Sequence, residues 1–100
     1  MNLRDAVELQ KEPLLKTLTE SIRIRSVEDT PADGAPYGKG VRDCLDHALA
    51  VSKGLGFATF NLDNQMGWCE FGEGEEMVAV LGHLDVVPEG EGWTFDPFGG

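Results

Sequence analysis

The sequence predicts an α/β fold in which helices pack on a mixed β-sheet. Two segments with apolar residues at helical spacing come first, two short strand-like segments follow, and the least interrupted apolar run of the chain comes after them. A run that is apolar on both faces is typical of a central strand covered by helices, so this order favours a layered α/β structure. With 100 residues, the chain is long enough for one domain at most.

The first half of the chain is predicted to hold two helices and a long loop. Apolar residues at helical spacing mark the first helix: Leu14, Leu15, Leu18 and Ile22. Pro13 suits its first turn, so the residues before it are expected to form a separate short helical arm. Residues 26–40 are rich in Pro, Gly and Asp, which predicts a long ordered loop. The second helix has an apolar face made of Val41, Cys44, Leu45, Ala48, Leu49 and Leu55. Gly54 or Gly56 can end it.

The second half is predicted to form strands. Residues 57–62 are rich in aromatic and β-branched side chains, and turn residues at 63–67 precede a second strand at 68–71. We expect this pair to form a hairpin. After another turn, the sequence MVAVLGHLD at 77–85 predicts the central strand of the sheet.

Two ionisable residues stand at the end of that predicted strand. Alternation places His83 and Asp85 on the same face, with Cα atoms roughly 6.6 Å apart at about 3.3 Å per residue. Ligands bind outside the carboxyl ends of strands in open α/β sheets, and imidazole is a common zinc ligand. The pair is therefore a candidate metal site, although the spacing alone also fits a hydrogen-bonded structural pair. His47 lies off the apolar face of its helix and is expected to be exposed to solvent.

Composition excludes several function classes. Eight Lys and Arg residues against eighteen Asp and Glu residues give a net charge of −10. Nucleic acid and anionic membranes are therefore not expected partners, because both need basic clusters. The chain shows neither a signal-peptide pattern nor a membrane-spanning run, so we expect a cytoplasmic location. Cys44 and Cys69 form no metal or disulfide motif and are expected to be buried or half-buried apolar residues.

The sequence after the apolar run resembles a known family. GHLDVVPEGEGWTFDPFGG at 82–100 resembles the signature of the zinc-dependent aminoacylase/carboxypeptidase/desuccinylase metallopeptidases. Three further stretches, LLKTLTESIRIRSV, APYGKGVRDCLDHALAVSKGLGF and NLDNQMGWCEFGEGEEMVAVLGHLD, are similar to the bacterial PepV-like dipeptidases within that family. Arg25 departs from the pattern, since many members carry proline there.

The resemblance implies a function and roles for two residues. His83 would be a terminal ligand to one of two zinc ions, and Asp85 the neighbouring catalytic aspartate; Mn²⁺ or Co²⁺ also suits such ligands. The remaining ligands and the general base of the family would lie beyond Gly100. Residues 1–100 are thus expected to be the N-terminal segment of a metallopeptidase catalytic domain, without the rest of that domain and the lid domain. The enzyme would hydrolyse dipeptides or short peptides, and the segment alone is expected to be inactive.

Two other functions stay open at this point. H-x-D also occurs in related amide hydrolases, namely N-acyl amino acid deacylases, desuccinylases and carboxypeptidases, and the chain could instead be a non-catalytic fragment or interaction module. Near the pair, the acidic residues Glu89, Glu91 and Asp96 are expected to be solvated. The aromatic residues Trp93, Phe95 and Phe98 are expected to pack the loop down. Exposed sheet edges and apolar helix faces predict self-association of the chain.

Overall fold

A computed structural model describes residues 1–100. The chain forms three helices and one β-hairpin: α1 Leu3–Leu9, α2 Lys11–Ile22, α3 Lys39–Gly54, β1 Ala58–Leu62 and β2 Met66–Glu70. α3 contacts both strands of the hairpin and also contacts α2. Helices packed on a sheet confirm the predicted α/β fold class.

The N-terminal helices are divided as the sequence predicts. Pro13 lies in the first turn of α2, and α1 is a separate short helix that ends before Gln10. The Asn2 side chain begins α1 by accepting a hydrogen bond from the Asp5 N–H at 2.9 Å, which satisfies one unpaired donor of the first turn. None of the three helices combines the length and apolar character needed to cross a lipid bilayer.

Of the two glycines predicted to end α3, the second, Gly56, stops the helix. Gly56 has a φ of 94°, in the left-handed region that glycine adopts without strain. Its N–H donates to the Lys53 carbonyl at 3.0 Å, and the Phe57 N–H donates to the Ser52 carbonyl at 3.1 Å. This pair of bonds is a Schellman motif, which stops the helix and turns the chain toward β1.

The hairpin forms as predicted, with β1 and β2 antiparallel and Leu62 opposite Met66. Its turn has two residues in the left-handed region, Asp63 at φ 52° and Asn64 at φ 58°. The Gln65 N–H donates to the Leu62 carbonyl at 2.9 Å. The turn therefore has three residues, 63–65, and the positive φ values at its first two positions favour Asp and Asn.

The small core lies on both sides of α3. Cys44 and Leu45 are its buried residues, and Val27 and Ala35 of the preceding loop are also buried. On the hairpin side, Gly67 is so close to α3 that a Cβ atom there would lie 2.9 Å from Leu49 Cδ2. The ordered loop predicted at 26–40 therefore supplies part of the core.

The predicted central strand at 77–85 does not form. The sheet contains β1 and β2 alone, and the chain from 71 to 100 has a single bridge, a parallel pairing of Val86 with Val27. Val78 and Val80 are 95% and 98% exposed. Apolar side chains suit a segment to burial, but a strand also needs a hydrogen-bonding neighbour, and no segment of the chain pairs with residues 77–85. The parallel part of the expected mixed sheet is thus reduced to the Val27–Val86 bridge.

Two further expectations about burial are wrong. Cys44 is buried as predicted, but Cys69 is exposed. α3 covers Gly67 of the same strand and does not cover Cys69. The His47 side chain is 19% exposed, and its Nε2 atom lies 3.4 Å from Glu20 Oε2. α2 packs beside α3, so part of the polar side of α3 faces a neighbouring helix instead of solvent.

Many apolar side chains are exposed. They include Leu14 and Leu18 of α2, together with Met77 and Leu81 of the unpaired segment. Contiguous exposed apolar surface promotes association. The exposure supports the expected self-association, which stays a prediction.

Gly67→Ala should destabilise the fold. The added Cβ would meet Leu49 Cδ2 at 2.9 Å, the Phe60 carbonyl at 3.0 Å and Leu45 Cδ1 at 3.1 Å. Crowding of this kind costs about 1–3 kcal/mol, which urea denaturation followed by circular dichroism measures. Gly54→Ala is the control, because nothing lies within 4 Å of its Cβ position, and it should stabilise the fold by about 0.4–1 kcal/mol. Equal stability of Gly67→Ala and wild type would contradict the close seating of the hairpin on α3.

Candidate functional site

His83 and Asp85 lie on the wall of an open cavity of about 400 Å³. The cavity is bounded by the loop before α3, by α3 itself, by the hairpin turn and by residues 81–85. Its polar and ionisable lining residues are Glu28, Tyr37, Asn64, Gln65, His83 and Asp85. The predicted pair thus shares one concave surface with side chains from three separate parts of the chain.

The geometry of the pair indicates the tautomer of the neutral imidazole. His83 Nδ1 lies 2.8 Å from the backbone carbonyl of Asp85 and 3.4 Å from Asp85 Oδ1. A carbonyl oxygen only accepts hydrogen bonds, so Nδ1 carries the proton and donates it. In the neutral ring, Nε2 then has a free lone pair. The side chain of His83 is 81% exposed, so the structure leaves this nitrogen accessible.

Ser26 holds the chain on both sides of Asp85. Its carbonyl accepts a hydrogen bond from the Val86 N–H at 3.0 Å, and its hydroxyl donates to the Leu84 carbonyl at 2.9 Å. Ser26 is 4% exposed, so water competes little for these bonds. The two peptide groups that flank Asp85 are therefore fixed to the loop that follows α2.

A glycine lets α3 approach the same segment. A Cβ at Gly40 would lie 1.9 Å from the Arg25 carbonyl, far inside van der Waals contact. Only glycine allows the first turn of α3 to pack against the backbone of Arg25 and Ser26. The position of Ser26 therefore depends on the start of α3 as well as on the end of α2.

Glu89 lies at the surface, as expected, but it is paired with a cation that the sequence analysis did not assign to it. Arg25 donates two hydrogen bonds to it, from Nη2 to Oε2 at 2.9 Å and from Nε to Oε1 at 3.3 Å. These bonds, together with the hydrogen bond to its own backbone N–H, lower the pKa of Glu89 below its ordinary value of 4.5. No local sequence pattern indicates this pair, because 64 positions separate its members. Glu91 and Asp96 are exposed as expected.

The aromatic residues of the last loop differ in their packing. Phe98 is half-buried, and its ring lies 5.9 Å from the Arg25 guanidinium. Trp93 is 59% exposed, but its Nε1–H donates to the Glu89 carbonyl at 2.7 Å. Phe95 is 84% exposed, so the expectation that it packs the loop is wrong. Phe98 and Trp93 thus contact the Arg25–Glu89 pair, whereas the Phe95 ring is largely in solvent.

Across the 100 residues, no three His, Cys, Asp or Glu side chains converge as a metal-binding group. The structure brings together His83 and Asp85, and it places His47 on α3 against Glu20. The roles expected for His83 as a metal ligand and Asp85 as a catalytic residue stay predictions.

Comparison with known proteins finds similarity along the whole chain. A Bacillus subtilis protein named "Putative dipeptidase YtjP" is 45% identical over 100 residues, which cover 98% of this chain and 22% of that protein. The Beta-Ala-Xaa dipeptidase of Lactobacillus delbrueckii subsp. lactis is 42% identical over 100 residues, covering 98% of this chain and 21% of the enzyme. The chain spans about a fifth of the length of these relatives. No protein-family model matches it.

Several residues of the site were missed from the sequence. Ser26, Glu28 and Tyr37 belong to a segment interpreted only as an ordered loop, and Asn64 and Gln65 to one interpreted only as a turn. The length of that loop was the available signal, since loops longer than their connection requires are often functional. Nothing in the local pattern indicates which of its side chains face the cavity.

Ser26→Ala should loosen the segment that carries the pair. The variant loses the bond from Ser26 Oγ to Leu84 O, at a cost of about 1 kcal/mol. Hydrogen exchange of the Val86 amide should become roughly fivefold faster. Ser52→Ala loses a bond of the same length, from Oγ to the Ala48 carbonyl within α3, and should leave Val86 unchanged. Equal effects of the two variants on Val86 would exclude a specific hold by Ser26.

The Arg25–Glu89 pair should make the free energy of unfolding depend on pH in the acidic range. Because the folded state lowers the pKa of Glu89 below 4.5, the pair stabilises the fold above that pH, and the contribution is lost as pH falls through the lowered pKa. Glu89→Gln should therefore be less stable than wild type near neutral pH and approach it in acid, as measured by urea denaturation at a series of pH values. Glu91→Gln, in the same loop, is the control and should follow wild type throughout. A constant difference for Glu89→Gln would contradict this linkage.

Proposed function

We propose that residues 1–100 are the N-terminal segment of the catalytic domain of a zinc-dependent metallopeptidase that hydrolyses dipeptides or short peptides. The observation that carries this proposal is the His83–Asp85 pair, held on a cavity wall with Nε2 of His83 accessible. The relatives support a dipeptide-hydrolysing function, because proteins named dipeptidases are similar to this chain over its whole length.

The donor set of the pair fits one end of a zinc site. Zinc ligation requires a neutral imidazole with a free lone pair, and the Nδ1–H bond to the Asp85 carbonyl leaves Nε2 in that state. His83 would hold the ion through Nε2, and Mn²⁺ or Co²⁺ would also suit these ligands. When bound, zinc supplies Lewis-acid chemistry that activates water and polarises a peptide carbonyl.

Asp85 acts on the histidine in this proposal. Its backbone carbonyl fixes the ring tautomer at 2.8 Å, and its carboxylate lies 3.4 Å from the same nitrogen. A carboxylate in this position increases the electron density that the imidazole offers to a cation. Further ligands and the general base would come from the region in which the relatives extend beyond the matched segment. The segment alone is therefore proposed to be inactive.

The cavity suits a peptide better than a polyanion. Its charged lining residues are Glu28 and Asp85, and neither Lys nor Arg lines it. Asn64, Gln65 and Tyr37 add side chains that can hydrogen-bond to amide groups. The cytoplasmic location expected from the sequence is part of the same proposal.

Related amide hydrolases share the H-x-D pattern and are the second candidate. The dipeptidase names of the relatives favour the dipeptidase over the deacylase, desuccinylase and carboxypeptidase functions. Hydrolysis of N-acyl amino acids, measured beside that of dipeptides, separates the two.

A chimera tests the proposal in a complete enzyme. This chain would replace the matching segment of the Bacillus subtilis relative, to which it is 45% identical, and dipeptide hydrolysis would be measured with added zinc. We expect activity in the chimera and its loss in His83→Ala. Asp85→Asn should lower activity about 10–100-fold, as is typical when the partner of a metal-bound histidine is changed. The isolated 100-residue chain should show no turnover.

His47→Gln is the matched control, because His47 contacts Glu20 and does not line the cavity. It should leave the activity of the chimera unchanged. Full activity of His83→Ala would exclude the proposed metal site. Hydrolysis of N-acyl amino acids without dipeptide hydrolysis would favour the second candidate, and an inactive but folded chimera would favour a non-catalytic module.

A further inference from the structure

We propose that the Arg25–Glu89 ion pair is a positioning element that holds Asp85, and through Asp85 the imidazole of His83, in the orientation described above. The inference rests on the proposed function, because it assigns the pair a role at the metal-binding end of that site.

The Arg25–Glu89 pair and Ser26 hold residues 84–89 at both ends. Ser26 binds the peptide groups on either side of Asp85, at 2.9 Å and 3.0 Å. The preceding residue, Arg25, binds the Glu89 carboxylate through two nitrogen atoms at 2.9 Å and 3.3 Å. Residues 25–27 therefore run along residues 84–89 and contact them before and after Pro88.

The downstream contact matters because the upstream chain is unrestrained. Residues 77–82 have no strand partner, and Val80 is 98% exposed. The bonds of Ser26 fix the two peptide groups beside Asp85, and a second fixed point further along the chain reduces the motion that reaches Asp85 from this segment. The ion pair provides that fixed point four residues after Asp85, close enough to limit rotation of the Asp85 carbonyl that accepts the His83 proton.

Arginine is suited to this position by its shape. Its planar guanidinium forms two parallel bonds with a carboxylate, which defines an orientation that a lysine ammonium cannot define. The same guanidinium lies 5.9 Å from the Phe98 ring, and the Glu89 carbonyl accepts the Trp93 Nε1–H at 2.7 Å. One residue, Glu89, thus joins the arginine to the aromatic loop and fixes both relative to residues 84–86.

Nitrogen NMR of the His83 ring in the metal-free chain tests the inference directly. At a pH where the ring is neutral, long-range ¹H–¹⁵N spectra distinguish Nδ1–H from Nε2–H tautomers. Wild type should show the Nδ1–H form. Arg25→Ala and Glu89→Gln should each shift His83 to a mixture of the two tautomers while helix content by circular dichroism is unchanged. The exchanged pair, Arg25→Glu with Glu89→Arg, should restore the wild-type spectrum.

Arg23→Ala is the matched control. Arg23 also ties the last loop to the end of α2, since its Nε donates to the Gly99 carbonyl at 3.2 Å, but it does not contact residues 84–89. Its His83 spectrum should equal that of wild type, and the His47 signals should be constant in all variants. If Arg25→Ala lowers helix content, the nearly isosteric Glu89→Gln decides the question.

Three results would overturn the inference: an unchanged tautomer in Glu89→Gln, an equal shift in Arg23→Ala, or no recovery in the exchanged pair. The measurement uses neither metal nor substrate. Failure of the proposed function would therefore be seen as an inactive chimera with the NMR result intact, whereas failure of this inference leaves the chimera active.

Discussion

The double hydrogen bond between Ser26 and the chain around Asp85 is the interaction on which the rest of the site depends. Residues 84–86 belong to no strand, and apart from these two bonds their backbone is contacted by Cys44 Sγ of α3, which lies 3.9 Å from the Leu84 carbonyl. Ser26 is one of six buried residues, and its own place is set by the close approach of Gly40 in α3 to Arg25. A backbone contact at the start of a helix thereby fixes a histidine that is itself exposed.

α3 positions the other elements that form the cavity. One side of this helix packs against the loop after α2 and the other against the hairpin, with Leu45 and Leu49 facing Gly67. The hairpin turn and residues 81–85 consequently reach the same cavity although they do not pair with each other. The cavity exists because one amphipathic helix has neighbours on two sides, which is a common basis for sites built on small α/β units.

Features with local causes could be predicted from the sequence. Pro13, Gly56 and the Asp63–Asn64 turn act over a few residues, so helix starts, the helix end and the hairpin follow from them. The H-x-D spacing also placed His83 beside Asp85. Pairing between distant segments could not be predicted: the run at 77–85 has the composition of a strand but no neighbour here, and the Arg25–Glu89 pair depends on a fold that brings positions 64 apart into contact.

The separation in sequence between Ser26 and Leu84, 58 positions, has a consequence for the order of folding. Helices and a two-stranded hairpin form from local contacts, whereas closing a loop of this length carries an entropic cost that local structure must first offset. We infer that α2, α3 and the hairpin assemble before residues 84–89 dock. By the same reasoning, we expect this docked segment to open at a lower free energy than α3 and the hairpin. The part of the molecule that carries the histidine is thus expected to become ordered only after the helix and the hairpin beside it have formed.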